Sequence, residues 1–171
     1  MDFFDTVKKR RAIRAFSERQ VEADKLGQIL DAANSAPSAG NLQSYEIFMV
    51  KGSGKRGALS EACFSQKSVA LASVVLVFCA DVQKSVKNYG EKGGGVYAIQ
   101  DATISAAYCQ LAATALGLAT VWVGSFDEKK VLSFLNARDG LKPAAVIPIG
   151  YAAETPLPRP RRSIGDIVHE V

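Results

Sequence analysis

From Tyr97 to Leu116 the chain reads YAIQDATISAAYCQLAATAL, and no charged residue lies between Asp101 and Asp127. The run is rich in Ala and Leu, and Gly117 supplies a stop. It predicts a long helix over Tyr97–Leu116. A helix apolar nearly all round has to be buried on every side. Ser105, Tyr108, Gln110, Thr114, Gly117 and Thr120 interrupt the wider stretch Ile104–Val123, which points to a protein interior and away from a membrane span. In a chain of 171 residues, a partner subunit is a reasonable way to cover such a helix.

Elements on either side alternate. Asp2–Lys9 reads as helical. Leu26, Ile29, Leu30 and Ala33 recur at helical spacing, so Glu22–Ala33 is an amphipathic helix. Asn34–Gln43 (NSAPSAGNLQ) is a loop by its Asn, Ser, Pro and Gly content. YEIFMV, Tyr45–Val50, is a strand, followed by a helix over Lys55–Ala62. VVLVFCA, Val74–Ala80, has the apolar, β-branched composition of a strand covered on both faces. Asn88–Gly95 (NYGEKGGG) reads as a flexible loop. Ala119–Gly124 (ATVWVG) is a strand. A short helix ends at Leu135 and opens either on a Ser125–Glu128 capping box or on Asp127. Ala144–Tyr151 (AAVIPIGY) is a last strand that Pro148 should weaken. From Glu154 the tail is extended and proline-rich, with Ile164, Ile167 and Val168 spaced apolar near its end. No repeat or linker divides the chain, so a single domain over residues 1–171 is expected, of α/β or α+β class with the long helix on one face of the sheet.

Apolar residues make up 48% and charged residues 22%, an ordinary globular composition. The N-terminus MDFFDTVKKRR has no apolar core of a secretory signal. Cys63, Cys79 and Cys109 lie too far apart for a zinc motif or a disulfide framework and read as buried reduced thiols, which predicts a cytoplasmic location. The net charge of +4 is concentrated at the ends: Lys8, Lys9, Arg10, Arg11 and Arg14 at one, Arg159, Arg161 and Arg162 at the other. These clusters could converge on one anion or line a nucleic-acid surface. A nucleic-acid face is disfavoured because aromatics are not interleaved in both clusters.

Much catalytic machinery is missing. His169 is the one histidine, near the end, and no nucleophile elbow or P-loop is present. Any enzyme built on this chain leaves the hard chemistry to a cofactor. Gly52, Gly54 and Gly57 spell G-x-G-x-x-G, with Asp81 beyond the next strand, yet Lys55, Arg56 and the polar FSQKS interval fit a surface glycine turn better than a dinucleotide site. In PSAGNLQ, Pro37 fixes φ and Gly40 admits unusual backbone. Ser38, Asn41 and Gln43 add short polar groups. The loop is either a plain turn or a clasp for a planar polar ligand.

RRAIRAF (Arg10–Phe16), PSAGNLQ (Pro37–Gln43), QKSVALASVVLVFCAD (Gln66–Asp81), Tyr97–Glu128 and VIPIGYAAETPLPRPRRSIGDIV (Val146–Val168) occur in this order. Together they resemble the nitroreductase family of FMN-dependent oxidoreductases over nearly the whole chain. The resemblance implies an α+β sandwich with a mostly antiparallel central sheet flanked by helices. It also implies an intertwined homodimer around the long central helix, with FMN at the dimer interface. NAD(P)H would be the electron donor and a small-molecule acceptor, a nitroaromatic or quinone, the oxidant, in a ping-pong cycle with hydride passing through flavin N5. No nucleic-acid or membrane partner is implied. Other flavin chemistry on the same scaffold, such as reductive dehalogenation or flavin breakdown, and a non-enzymatic flavin-binding role are the alternatives.

By resemblance, the cofactor-binding residues are Arg10, Arg11, Ala12, Arg14 and Arg161 around the phosphate and the flavin's polar edge. Pro37, Ser38, Ala39, Asn41 and Gln43 match the ribityl and ring loop. Gln66 falls near a flavin contact, and Trp122, Val123, Gly124 and Ser125 match the segment beside the ring. Trp122 reads equally as a core aromatic. No side chain is assigned a catalytic role and no metal is implied. The chain departs from the family pattern at Ala12, where Ser is usual, and at Ser44, where the loop often has Pro. Its brevity between Asp81 and Gly95 leaves little room for a lid.

Overall fold

The structure, a computed structural model, describes residues 2–171, apart from the side chains at positions 92 and 93. At its centre lies β2 (Val74–Asp81), buried at every position. It pairs antiparallel with β1 (Tyr45–Val50) on one side and with β4 (Leu141–Gly150) on the other, and β3 (Ala119–Thr120) closes the far edge. Side chains alternate across a strand, so β2 feeds two cores. Val74, Leu76 and Phe78 pack with Ala145, Ile147 and Ile149 of β4 against one helical layer. Val75, Val77 and Cys79 face the opposite layer.

The first layer holds α2 (Ala23–Asn34), through Leu26, Ile29 and Ala33, and α5 (Val82–Ala115), through Ala106, Cys109 and Ala113. The second holds α3 (Ser53–Ala62), α4 (Lys67–Leu71) and α6 (Glu128–Leu135), contributing Leu59, Val69 and Val131. The result is the expected α+β sandwich on an antiparallel sheet. Asp127, not Ser125, caps α6, accepting the Lys130 N–H at 3.0 Å. Cys63, Cys79 and Cys109 are free and buried, and burial pushes their thiols up to about 11, about 12 and about 12. Among the described residues no helix is long and apolar enough to cross a membrane.

Two sequence expectations need correction. The Asn88–Gly95 segment is not a flexible loop but part of α5, broken once at Gly90 (φ 67°, ψ 173°). The break folds the helix back so closely that a Cβ on Gly94 would lie 2.6 Å from Val86 Cα. Glycine serves close approach there, not flexibility. The Ala119–Gly124 strand is regular only over Ala119–Thr120. Val123 and Val146 exchange both backbone bonds at 3.0 Å, but the pair that should repeat this is Val121 opposite Pro148, which has no N–H to give. Within one chain α5 leaves a face uncovered, where the sequence leads one to expect a partner subunit. Ala102, Ser105, Cys109 and Ala113 are buried, whereas Val96, Tyr97 and Tyr108 stand 56%, 39% and 40% exposed.

Candidate functional site

The basic N-terminal stretch is held by its apolar members. α1 (Phe3–Lys9) is capped by Asp2, whose carboxylate accepts the Asp5 N–H at 2.8 Å. Beyond it the chain is extended. Ala12 bridges Thr120, the Ile13 N–H donates to the Thr120 carbonyl at 3.0 Å, and Ile13 and Phe16 are buried. The C-terminal tail then runs alongside. Ser17 donates to the Tyr151 carbonyl and Ala153 to that of Ala15, both at 2.9 Å, and the Glu154 carboxylate accepts the N–H groups of Arg14 and Ala15.

This pairing returns the tail to the start of the chain. Val7, Lys8, Arg10, Arg11, Ala12, Pro158, Arg159 and Arg161 line one cleft of about 540 Å³, with no carboxylate among these residues. Partial burial, then the charges of Arg161 and Arg11, hold the Arg10 guanidinium below its ordinary pKa. Arg11 donates to the Arg10 carbonyl at 2.9 Å. Cations kept together without acids fit a phosphate monoester, whose charge and acceptor oxygens suit guanidinium donors. Arg14 does not join them: its side chain is exposed outside the cleft lining.

The Pro37–Gln43 loop is built, not slack. Ser38 Oγ accepts the Gln43 N–H at 2.9 Å around a single 3₁₀ turn, and the Gln43 amide donates to the Asn41 carbonyl at 2.8 Å. Gly40, Asn41 and Gln43 all sit in left-handed backbone at φ 54°, 56° and 51°. Gly40 suits its left-handed backbone, and a Cβ there would meet the Tyr89 hydroxyl at 2.2 Å, so that side chain would have to shift. Pro37, Ser38 and Ala39 line a second cleft with Tyr97, Gln100 and Asp101. It shares no lining residue with the basic cleft, so one chain keeps the two sets of candidate residues apart.

Gln66 joins the third group. Its amide donates to the Ser125 carbonyl at 2.9 Å and to the Cys63 carbonyl at 3.0 Å. Val123 is buried in its bridge to Val146, while Trp122 is 37% exposed and is therefore not a core aromatic. The glycine motif stays apart from all of this. Gly52 precedes α3, Gly54 and Gly57 lie inside it, and no atom approaches where their Cβ atoms would be. The strands flanking α3 are antiparallel neighbours, which a dinucleotide-binding βαβ unit does not allow. His169 is exposed, and the described residues contain no cluster that could hold a metal.

Sequence reading passed over Asp101, Tyr89 and Glu154. Asp101 did carry a signal, as the last charged residue before the charge-free run inside α5; the other two act across the fold and carry none.

Known proteins match this architecture. The profile of the Nitroreductase family matches residues 7–151. A Thermus thermophilus protein described as NADH dehydrogenase is 30% identical over a 187-residue alignment that takes in 94% of this chain and 91% of that protein. The oxygen-insensitive NADPH nitroreductase of Salmonella typhimurium is 28% identical, over 94% of this chain and 70% of its own. The structure of the NADPH:FMN oxidoreductase from Vibrio harveyi complexed with NAD+ superposes with a TM-score of 0.90 at 26% identity, covering 98% of this chain and 76% of that one. With its sheet, its helical layers and most of its length in register with these proteins, the chain belongs to the nitroreductase family.

Proposed function

We propose that this chain is an FMN-dependent NAD(P)H oxidoreductase that reduces small organic acceptors, with nitroaromatics and quinones as the substrate class. The observation that carries this reading is the convergence of Arg10, Arg11 and Arg161 on one acid-free cleft. Like charges held together are unfavourable until an anion arrives, and each charge-assisted hydrogen bond to a phosphate contributes about 1.5–3 kcal/mol.

Arg10, Arg11 and Arg161 would hold the phosphate, with Ala12 lending backbone and no hydroxyl. Arg14, exposed and outside the basic cleft lining, is assigned to the flavin's polar edge. The loop residues Pro37, Ser38, Ala39, Asn41 and Gln43 would hold the ribityl chain and ring. Gln66 and the backbone of Trp122, Val123, Gly124 and Ser125 would border the ring. Bound FMN would supply a hydride relay in which NAD(P)H and the acceptor take turns. Cations near the ring's pyrimidine edge favour added electron density there. No side chain is assigned as proton donor, since water can serve.

The basic cleft and the loop lie apart in one chain, and the exposed face of α5 around Tyr97 and Tyr108 is uncharged. Both features support a homodimer of one domain per chain, residues 1–171, with the site completed where two copies meet. Three buried free thiols support a cytoplasmic setting.

The test is a visible spectrum of the purified protein followed by anaerobic titration with NAD(P)H. A flavin spectrum that bleaches and returns on adding a quinone is expected. A protein that takes up no FMN would contradict the reading.

A further inference from the structure

We propose that Asp101 is a positioning residue, which sets the Pro37–Gln43 loop in its ligand-holding shape before any flavin binds. The inference rests on the flavin reading of that loop. Asp101 is 2% exposed on α5. Its Oδ1 accepts the Ala39 N–H at 2.9 Å and its Oδ2 accepts the Ser44 N–H at 3.3 Å. One carboxylate thus grips the loop on both sides of its left-handed residues. Among the described residues no Lys or Arg makes an ion pair with it. A buried carboxylate needs such donors, and these come from the loop backbone itself.

The loop has the matching need. Asn41 and Gln43 hold left-handed backbone that non-glycine residues resist, at φ 56° and 51°. Strain of this kind persists only where the surroundings over-determine it. Lys84 Nζ adds a donor to the Gln43 carbonyl at 3.3 Å from the first turn of α5. Ser44 joins the clamp through its backbone N–H, a donor that a proline at this position would lack. The Ser44 hydroxyl is buried without a partner, so what this residue brings to the clamp is its backbone donor. Setting the loop in advance spares flavin the cost of ordering it.

Amide hydrogen exchange on the wild-type apoprotein, with titrations of Asp101→Asn, tests this. Slow exchange at Ala39 and Ser44 is expected without FMN. Asn offers one acceptor oxygen, so the variant should bind riboflavin roughly tenfold more weakly, the scale of one hydrogen bond to a charged group. Its affinity for inorganic phosphate, a probe of the basic cleft alone, should not change. Fast exchange at both amides until FMN is added would overturn the clamp, as would riboflavin affinity within twofold of wild type in a folded variant. If the variant does not fold, the wild-type exchange decides. Slow exchange in a protein that takes up no flavin would support the clamp and overturn the flavin reading instead.

Discussion

Arg10 and Arg161 come from opposite ends of the chain and line one cleft, where burial and then the charge of Arg161 hold the Arg10 guanidinium below its ordinary pKa. Such a pair opposes folding when no anion is bound and favours it when one is. Arg161→Ala should therefore leave the apoprotein as stable as wild type or slightly more so. The gain in Tm on adding FMN should shrink, because stabilisation by a ligand follows its affinity. Paired thermal melts with and without FMN check both halves, and a marked loss of apoprotein stability would count against a repulsive cleft.

Trp122 is the one tryptophan of the chain, and it is 37% exposed. If the Trp122–Ser125 segment borders the flavin ring, Trp122 emission should fall as FMN is added, saturating at one FMN per chain. Fluorescence titration of the apoprotein reads this directly. Emission that ignores saturating FMN would remove the segment from the site.

Away from the site, the Tyr151 hydroxyl bonds to both oxygens of Glu22, at 2.9 and 2.7 Å, and Arg19 lies 2.7 Å from the same carboxylate. The Tyr151 bonds first, then Arg19, lower the Glu22 pKa from 4.5 to about 2. Because the folded-state value is the lower one, the stabilisation is present above about pH 4.5 and is lost as pH falls toward about 2. Glu22→Gln should lower stability on the plateau above about pH 4.5, pH 7 included, and flatten the acid limb of the profile below it. Urea melts across the range measure it; an acid limb identical to wild type would show that the contact contributes nothing.

The uncharged exposed face of α5 gives a test of assembly. Tyr108 is 40% exposed and lines an apolar groove with Phe3 and Leu111. Placing a charge in a subunit interface is costly, so Tyr108→Glu should shift a dimer toward monomer and reduce FMN retention with it. Sedimentation analysis checks the first, and flavin absorbance after gel filtration the second. A variant that remains dimeric with full flavin would place the interface elsewhere.

What the sequence made legible follows the range of each signal. The charge-free run announced α5, and the apolar strand VVLVFCA announced the centre of the sheet, because periodicity and burial are local properties. The basic clusters were legible as candidates for one anion site, but which cations share a cleft was not: Arg161 joins Arg10 after the pairing of Ser17 with Tyr151 returns the tail, while Arg14 is exposed and outside that lining. The Asn88–Gly95 segment was misread as a loop because glycine serves both flexibility and close packing, and only the position of Val86 against Gly94 shows which applies there. The Asp101 clamp was invisible since its donors at Ala39 and Ser44 lie far away in the chain. A backbone N–H leaves no mark in a sequence unless proline removes it.

The proposed phosphate-binding role of the basic cleft is tested most directly by titrating the apoprotein with FMN and with riboflavin, which differ only in the phosphate. Two or more charge-assisted bonds from Arg10, Arg11 and Arg161 should make FMN bind at least roughly a hundredfold more tightly. Most of that preference should vanish in Arg161→Ala. Equal affinity for the two ligands in the wild-type protein would contradict a phosphate held between the two ends of the chain.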